Sequence, residues 1–447
     1  MPDTETRGSA RRAWTGHRRD ELGASPFGAT FPAVLAAIGF GIACLVWLVA
    51  GDRLPGGRWL AVHLFTLGVL TILILTFSQH FAARFTATRA HAPKAMTTRV
   101  LTVLLVGSIV TMLTGRALDA HLPLVLGSLG IMLIVGWNLV VLGRLRRHAS
   151  ATRFVWVVRQ YEYAHLAFLV AAGLGGALGA GWIPGPIFVA VRGAHIHLNV
   201  LGWAGMTLLA TLVAFGPVLL RVQIEPAAER RACAGLKAAN FGLPVAAAGL
   251  VVTSLGQGAG PILLLTVGGL LAYGYGVFVV AWPLLRATRR SSRSPLRWAV
   301  AASLSWFLIA IATDIKMMVI GSLGWSHDLA VMLLVGVLAQ LVLAVLAYVG
   351  PMLRGRDFGS RDQLLARIER YARTRAALFN LGVVLLINAK DFGSFAEPIA
   401  RWGIRGGWFL VGAVSMSHVA GMLWPAHSDD PDRVHSVTAA RYRPPAR

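Results

Sequence analysis

The sequence RGAHIHLNVLGWAGMTLLATLVAFGPVLLR, residues 192–221, is apolar over most of its length and carries His195 and His197 near its start. As a single helix it is long enough to cross a hydrocarbon core of roughly 30 Å. Two further stretches match it: VHLFTLGVLTILILTFSQHFAAR at 62–84 and AVMLLVGVLAQLVLAVLAYVGPMLR at 330–354. The chain therefore contains three copies of one long apolar helix.

The three copies are evenly spaced along the chain. Each aligned glycine follows the previous one by 134 residues: Gly68, Gly202 and Gly336. His63 then aligns with His197, whereas Val331 takes that position in the third copy. Equal spacing of this kind predicts an internally repeated fold, with a histidine retained in two of its three repeats.

Long apolar runs recur along all 447 residues, and each can form a membrane-spanning helix. They predict an all-α integral membrane protein with twelve transmembrane helices in three pseudo-repeated arcs of four helices. The arcs are expected at about 29–150, 151–290 and 291–424. The predicted spans are about 29–50, 59–83, 99–115, 122–143, 155–181, 187–220, 237–256, 261–285, 297–322, 329–353, 376–393 and 404–424.

The net charge of +23 is distributed unevenly. Arginine and lysine are concentrated in a basic N-terminal tail, 1–28, and in alternate loops between the spans. By the positive-inside rule, this tail and the polar tail 425–447 are both cytoplasmic. The charge is thus read as a topology signal for a bacterial cytoplasmic membrane rather than as a nucleic-acid surface. One long basic loop contains DQLLARIERYAR, 362–373, which has the spacing of a short amphipathic helix on the inner face.

Histidines inside a membrane protein are candidates for function because ionisable groups there are costly. His63, His195 and His197 are all expected near the outer ends of their helices, and imidazole is a good ligand for haem iron or copper. His63 and His197 occupy equivalent repeat positions around a central axis, where they could face each other. His195 lies about 200° from His197 on a helix and is assigned a helper role. The alternative is that all three are interfacial histidines bonded to backbone or water.

Two arginines each precede a paired histidine by five residues, Arg58 before His63 and Arg192 before His197. A guanidinium forms good bonds with a carboxylate, so both could hold haem propionates. Equally, they could be interfacial side chains that extend towards water.

Two further groups of polar residues are weaker candidates. On the inner side, His80 with Glu162 and His165 could form a second ligand set or a proton path, or simply a structural pairing. On the outer side, imidazole and thioether groups suit copper, although methionine in an apolar helix is usually packing. This second group consists of Asp314, Lys316, Met317, Met318, His327, Asp328 and Met332. The two cysteines, Cys44 and Cys233, are too few for a thiolate site.

Three motifs carry a resemblance to a known family: HLxxLG…HF from His63 to Phe81, HIHLNVLGW from His195 to Trp203, and GxLAQ…AY…P from Gly336 to Pro351. With twelve helices in three arcs, they resemble subunit I of the haem–copper oxidases and nitric oxide reductases. The similarity is to divergent members such as the NnrS family, and to the membrane half of actinobacterial fusions with multicopper oxidase or nitrite reductase domains. This resemblance implies b-type haem, copper, and nitric oxide or nitrite metabolism.

The sequence also departs from that family. Its oxidases carry two histidines on helix 10 and two on helix 7, and the corresponding stretches 330–353 and 236–256 have none. We therefore do not expect oxygen reduction, and whether the chain is an enzyme stays open. The first interpretation is a redox protein that exchanges electrons with quinol and a separate cupredoxin or multicopper protein. The alternatives are a copper-handling permease and a structural assembly subunit without redox activity.

Overall fold

A computed structural model describes residues 30–223, 226–254, 259–291, 294–322, 325–354, 358–393 and 397–423. The two predicted tails, 1–28 and 425–447, lie outside this part of the chain. Within it, all regular structure is helical. The helices are α1 Phe31–Ala50, α2 Gly57–Phe85, α3 Ala95–Ala117, α4 His121–Arg147, α5 Val155–Gly179, α6 Gly185–Leu220, α7 Pro226–Thr253, α8 Ala259–Arg290, α9 Arg297–Val319, α10 (327–354), α11 Phe358–Glu369, α12 Ala372–Gly393 and α13 Glu397–Leu423.

Eleven of the helices in the described residues are long and apolar enough to cross a membrane. The chain is therefore an all-α, multi-pass membrane protein, as its sequence predicts. The predicted span 376–393 is helical and lies in α12, but α12 is not among the eleven. Polar residues such as Arg375, Asn380 and Asn388 lower its apolar content. The count of twelve spans and the three four-helix arcs remain predictions.

The loop predicted to hold a short amphipathic helix does contain one, α11. Its apolar side chains Leu364 and Ile368 are buried. At its end, the Glu369 carboxylate accepts a bond from the Arg221 guanidinium at 2.5 Å. The helix is thus held on the bundle by one apolar face and one ion pair.

The repeated helices share an unusual backbone feature. Each of α2, α6 and α10 contains a π-helical segment: Leu64–Thr71, Leu198–Gly205 and Val331–Ala339. Each segment includes one of the three aligned glycines. Because π-helical turns are rare and widen a helix locally, finding one in all three copies shows that the sequence repeat is also a repeat of backbone structure.

The aligned glycines bring each π segment against the first helix of its own repeat. A Cβ atom at Gly202 would lie 2.9 Å from Ala167 Cβ on α5, and one at Gly336 would lie 2.9 Å from Trp306 Cγ on α9. A Cβ at Gly68 would overlap the ring of Phe40 on α1. Glycine is needed here for close helix contact, since any side chain would separate the pair.

The same three helices form the interior of the bundle. In an apolar 18-residue stretch of each helix, the share of buried residues is 72% in α2, 67% in α6 and 61% in α10. In the other eight candidate spans this share is at most 50%. The Nε1–H of Trp203 on α6 donates to Thr71 Oγ1 on α2 at 3.1 Å, so the first two π segments are joined directly. We call the end of the bundle where α2, α6 and α10 begin the histidine end.

Candidate functional site

Four of the buried or half-buried histidines are candidates for the site, and in each of them Nδ1 bonds a backbone carbonyl. The Nδ1 atoms of His63, His165 and His197 each bond the carbonyl four residues earlier in the same helix, at 2.8, 2.6 and 2.8 Å. The Nδ1 of His195 bonds the Ala171 carbonyl on α5 at 2.8 Å. A carbonyl only accepts, so Nδ1 carries the proton, and a neutral ring then presents a lone pair on Nε2.

His197 does not face His63, contrary to the prediction. Its Nε2 lies 3.0 Å from Asp314 Oδ2 on α9, and both side chains are fully buried. The indole Nε1 of Trp325 lies 3.5 Å from the same nitrogen, with the rings edge to face. Helix rotation points this imidazole towards the third repeat instead of the first.

One proton lies between His197 Nε2 and Asp314 Oδ2, in the hydrogen bond that joins the two side chains. With Nδ1–H committed to the Gly193 carbonyl, either Nε2–H donates to a carboxylate or a carboxylic acid donates to Nε2. Both forms are neutral as a pair, which suits a fully buried position. Asp314 Oδ1 is buried and has no hydrogen-bond partner among the described residues. The pair therefore ties α6 to α9, and the Nε2 lone pair is no longer open to a metal.

His195, rather than His197, lies within electrostatic range of His63. His195 packs against α5 at Gly175, where an added Cβ would lie 2.7 Å from its Nδ1. His63 stacks on Trp59 with ring centroids 3.8 Å apart. In the described part of the chain neither Nε2 has a hydrogen-bond partner, so both can act as ligands.

The prediction that His195 and His197 point in different directions is confirmed. His195 reaches back to α5, and Asn199 donates to its carbonyl at 2.9 Å and approaches its Nδ1 at 3.3 Å. His197 reaches α9. Two histidines only two residues apart therefore serve two different neighbours.

The predicted inner ligand set is not assembled. Glu162 accepts two bonds from the Arg146 Nε, at 2.8 and 3.0 Å, and is part of an ion pair between α5 and α4. His165 is fully buried edge-on to Trp203, at 4.7 Å between ring centroids, and its Nε2 has no partner among the described residues. His80 is half-buried beside Phe81. Glu162 is thus part of a structural pairing rather than of a ligand set.

The predicted outer copper group is also dispersed. Asp314 is paired with His197, and Met318 is part of the hydrophobic core. Met317 and His327 are half-buried, and Lys316 is exposed. Across the described residues, no group of three or more His, Cys, Asp or Glu side chains could hold a metal ion. The described residues therefore offer at most two such side chains to any one metal ion.

The two arginines proposed for haem propionates behave differently from each other. Arg192 is exposed, and its guanidinium carbon lies 5.9 Å from the centre of the Phe188 ring, a cation–π contact typical of an interfacial side chain. Arg58 is also exposed but lies at the edge of an apolar cavity of about 340 Å³ between α1, α2, α10 and α13. The lining of this cavity includes His327 but neither His63 nor His195.

Sequence reasoning identified Asp314 as a functional candidate but not its partner, because α6 and α9 are far apart in the chain. Trp325 was missed altogether, since a tryptophan in a loop carries no signal for a histidine contact. No family model matches this sequence, and no curated protein matches it either. The likeness to haem–copper oxidases therefore rests on the quoted motifs alone.

Proposed function

We propose that this chain is a membrane redox protein with a single metal centre at the histidine end, held by His63 and His195. The observation that carries the proposal is that the Nε2 atoms of His63 and His195 have no hydrogen-bond partner among the described residues, while Nδ1 bonds to carbonyls set the tautomers of both rings. Backbone bonds of this kind orient metal-binding histidines and raise their basicity. The architecture we propose is that of haem–copper oxidase subunit I, with twelve spans in three arcs.

The residues present fit a copper ion better than a haem. Two imidazoles suit a copper ion that takes a further ligand from outside the protein. A haem held between the same rings would need a wide, flat space beside them. The 340 Å³ cavity does not supply that space, because neither histidine is in its lining. Copper is accordingly our first assignment and b-type haem our second.

A bound copper ion would supply one-electron chemistry at this end of the bundle. The protein's own residues would orient His63 through the Trp59 carbonyl and His195 through the Ala171 carbonyl. The neutral His197–Asp314 pair would hold α6 in place beside them. Electron transfer or nitrogen-oxide metabolism, with quinol as donor and a separate cupredoxin or multicopper protein as acceptor, is the role that we propose.

The test is metal analysis combined with oxidised and reduced absorption spectra of the detergent-purified protein. We expect about one copper per chain, lost in His63→Ala and in His195→Ala. His121→Ala is the matched control, since His121 is an exposed histidine at the start of α4. Metal content equal in all three variants would overturn the proposal. A Soret band that disappears in His63→Ala would replace copper with haem.

The second candidate, a copper-handling permease, is favoured by the small number of ligands. A two-imidazole site binds copper less tightly than a closed cage and releases it more easily. Copper that binds without redox change in the spectra, and that exchanges with added chelator within minutes, would support this function. If His63→Ala and His195→Ala changed neither metal content nor function, the structural assembly subunit would be the remaining interpretation.

A further inference from the structure

The cavity between the first and third repeats is long and narrow. Its lining runs from Val34 on α1 to Gly51 directly after that helix, and from Ile404 to Val419 on α13. At 1.5 Å of rise per residue, these stretches cover about 25 Å of helix. A volume of about 340 Å³ distributed over such a length leaves room for one extended chain rather than for a compact ring system.

The wall of the cavity is apolar except at one end. Three polar atoms along it are already bonded within the protein: Cys44 Sγ to the Ala61 carbonyl, Trp47 Nε1 to the Pro55 carbonyl, and Ser415 Oγ to the Val411 carbonyl. Two further polar lining residues, Arg58 and His327, both lie at the histidine end. A ligand would therefore have an apolar body and a polar group at that end.

Two hydrophobic clusters border this cavity. Val34, Ala37 and Leu73 on α1 and α2 belong to the main core cluster, whereas Val331, Val335 and Val411 on α10 and α13 belong to a separate cluster. All six side chains line the cavity. An unfilled apolar space forfeits the dispersion contacts of the atoms around it, so an apolar occupant would stabilise the bundle.

Charge at the rim identifies the polar group of the occupant. Arg58 is exposed at the start of α2, where a helix enters the bundle, and arginine bonds phosphate oxygens through two donors at once. We propose that the cavity binds one acyl chain of an anionic phospholipid, whose phosphate lies at Arg58. This site is independent of the metal centre, because no lining residue is one of the proposed ligands.

The experiment is native mass spectrometry of the full chain after delipidation in detergent. The probes are mixed micelles that contain either phosphatidylglycerol or phosphatidylcholine with identical acyl chains. We expect the wild-type protein to bind one phosphatidylglycerol and to prefer it over phosphatidylcholine. A protein that binds neither lipid, or both equally, would overturn the proposal, as would a bound haem or isoprenoid quinone in this cavity.

Two glycines separated by one residue, Gly39 and Gly41, provide a matched pair of variants for the apolar part of the site. Gly41 lines the cavity, whereas an added Cβ at Gly39 would meet no atom within 4 Å. Gly41→Leu should displace at least two methylene groups of the chain and lower phosphatidylglycerol affinity about tenfold. Gly39→Leu should leave it at the wild-type value. Equal affinities in the two variants would contradict the assignment.

Two arginines provide the matched pair for the polar end. Arg58 lines the cavity and Arg53, also exposed, does not. Arg58→Gln should lower phosphatidylglycerol affinity about fivefold, the effect of one interfacial charge, and leave phosphatidylcholine binding unchanged. Arg53→Gln should change neither. Since Arg58 is a surface residue, this variant tests the proposal even if Gly41→Leu fails to fold. Equal losses in both variants would show nonspecific attraction only and would overturn it.

Discussion

The second helices of the three repeats have the same backbone but different chemistry at one position. In α2 the imidazole of His63 stacks on Trp59 and keeps Nε2 open. In α6 the imidazole of His197 is bonded to Asp314. In α10 the equivalent position is Val331, which packs in a small apolar cluster. The same scaffold thus carries a proposed ligand in the first repeat, a structural pair in the second and apolar packing in the third. Sequence alignment alone does not separate the first role from the second.

The largest expected effect is on metal affinity, and it distinguishes His63 of the first repeat from His197 of the second. Loss of a hydrogen-bond partner of a metal ligand already costs about 10- to 100-fold in affinity, so loss of a ligand in His63→Ala should cost at least as much. The double variant His197→Gln with Asp314→Asn should keep most of its metal, since it replaces one hydrogen-bonded pair with another. Copper content per chain is the measurement. Equal loss in both variants would restore His197 as a ligand.

The next effect tests the buried pair itself. Asp314→Ala leaves His197 buried without its partner, which should destabilise the protein by about 3–5 kcal/mol. Replacing both partners with apolar residues, His197→Val with Asp314→Leu, should be far less costly because it makes the position resemble Val331 of the third repeat. The readout is an SDS titration of the purified protein in mixed micelles. Additive losses in the double variant would show that the two side chains do not act as a pair.

A smaller effect tests the feature that all three repeats share. Gly202→Ala and Gly336→Ala each introduce a Cβ at 2.9 Å from a neighbouring helix, which should cost about 1–3 kcal/mol each. Gly107→Ala on α3 is the control, because a Cβ there meets nothing within 4 Å. The same SDS titration applies. Should Gly107→Ala be as costly as the other two, the losses would reflect helix backbone changes rather than close contact.

The smallest effect concerns the direct link between the first two repeats. Trp203→Phe removes the bond from Nε1 to Thr71 Oγ1 and should cost about 0.5–1.5 kcal/mol. Thr71→Val should cost a similar amount, and the double variant should cost little more than either single one. A fully additive double variant would mean that the bond contributes nothing beyond the separate environments of the two residues.

The sequence by itself determined the local and repetitive properties of this protein. The length and apolarity of its segments identified a multi-pass helical membrane protein, because each span is decided by the residues within it. The 134-residue spacing identified the three central helices, and the glycines Gly68, Gly202 and Gly336 proved to mark their π segments. The opposite directions of His195 and His197 followed from helix geometry alone.

Only the tertiary structure decided which partner each polar side chain meets. The rotation of α6 places His197 against Asp314, 117 residues further on, and turns His195 to the Ala171 carbonyl on α5. Glu162 likewise forms an ion pair with Arg146 instead of a ligand set with the inner histidines. These outcomes depend on how helices from different repeats pack against each other. Helix periodicity specifies the angle between two side chains of one helix, but not the neighbour that each will face.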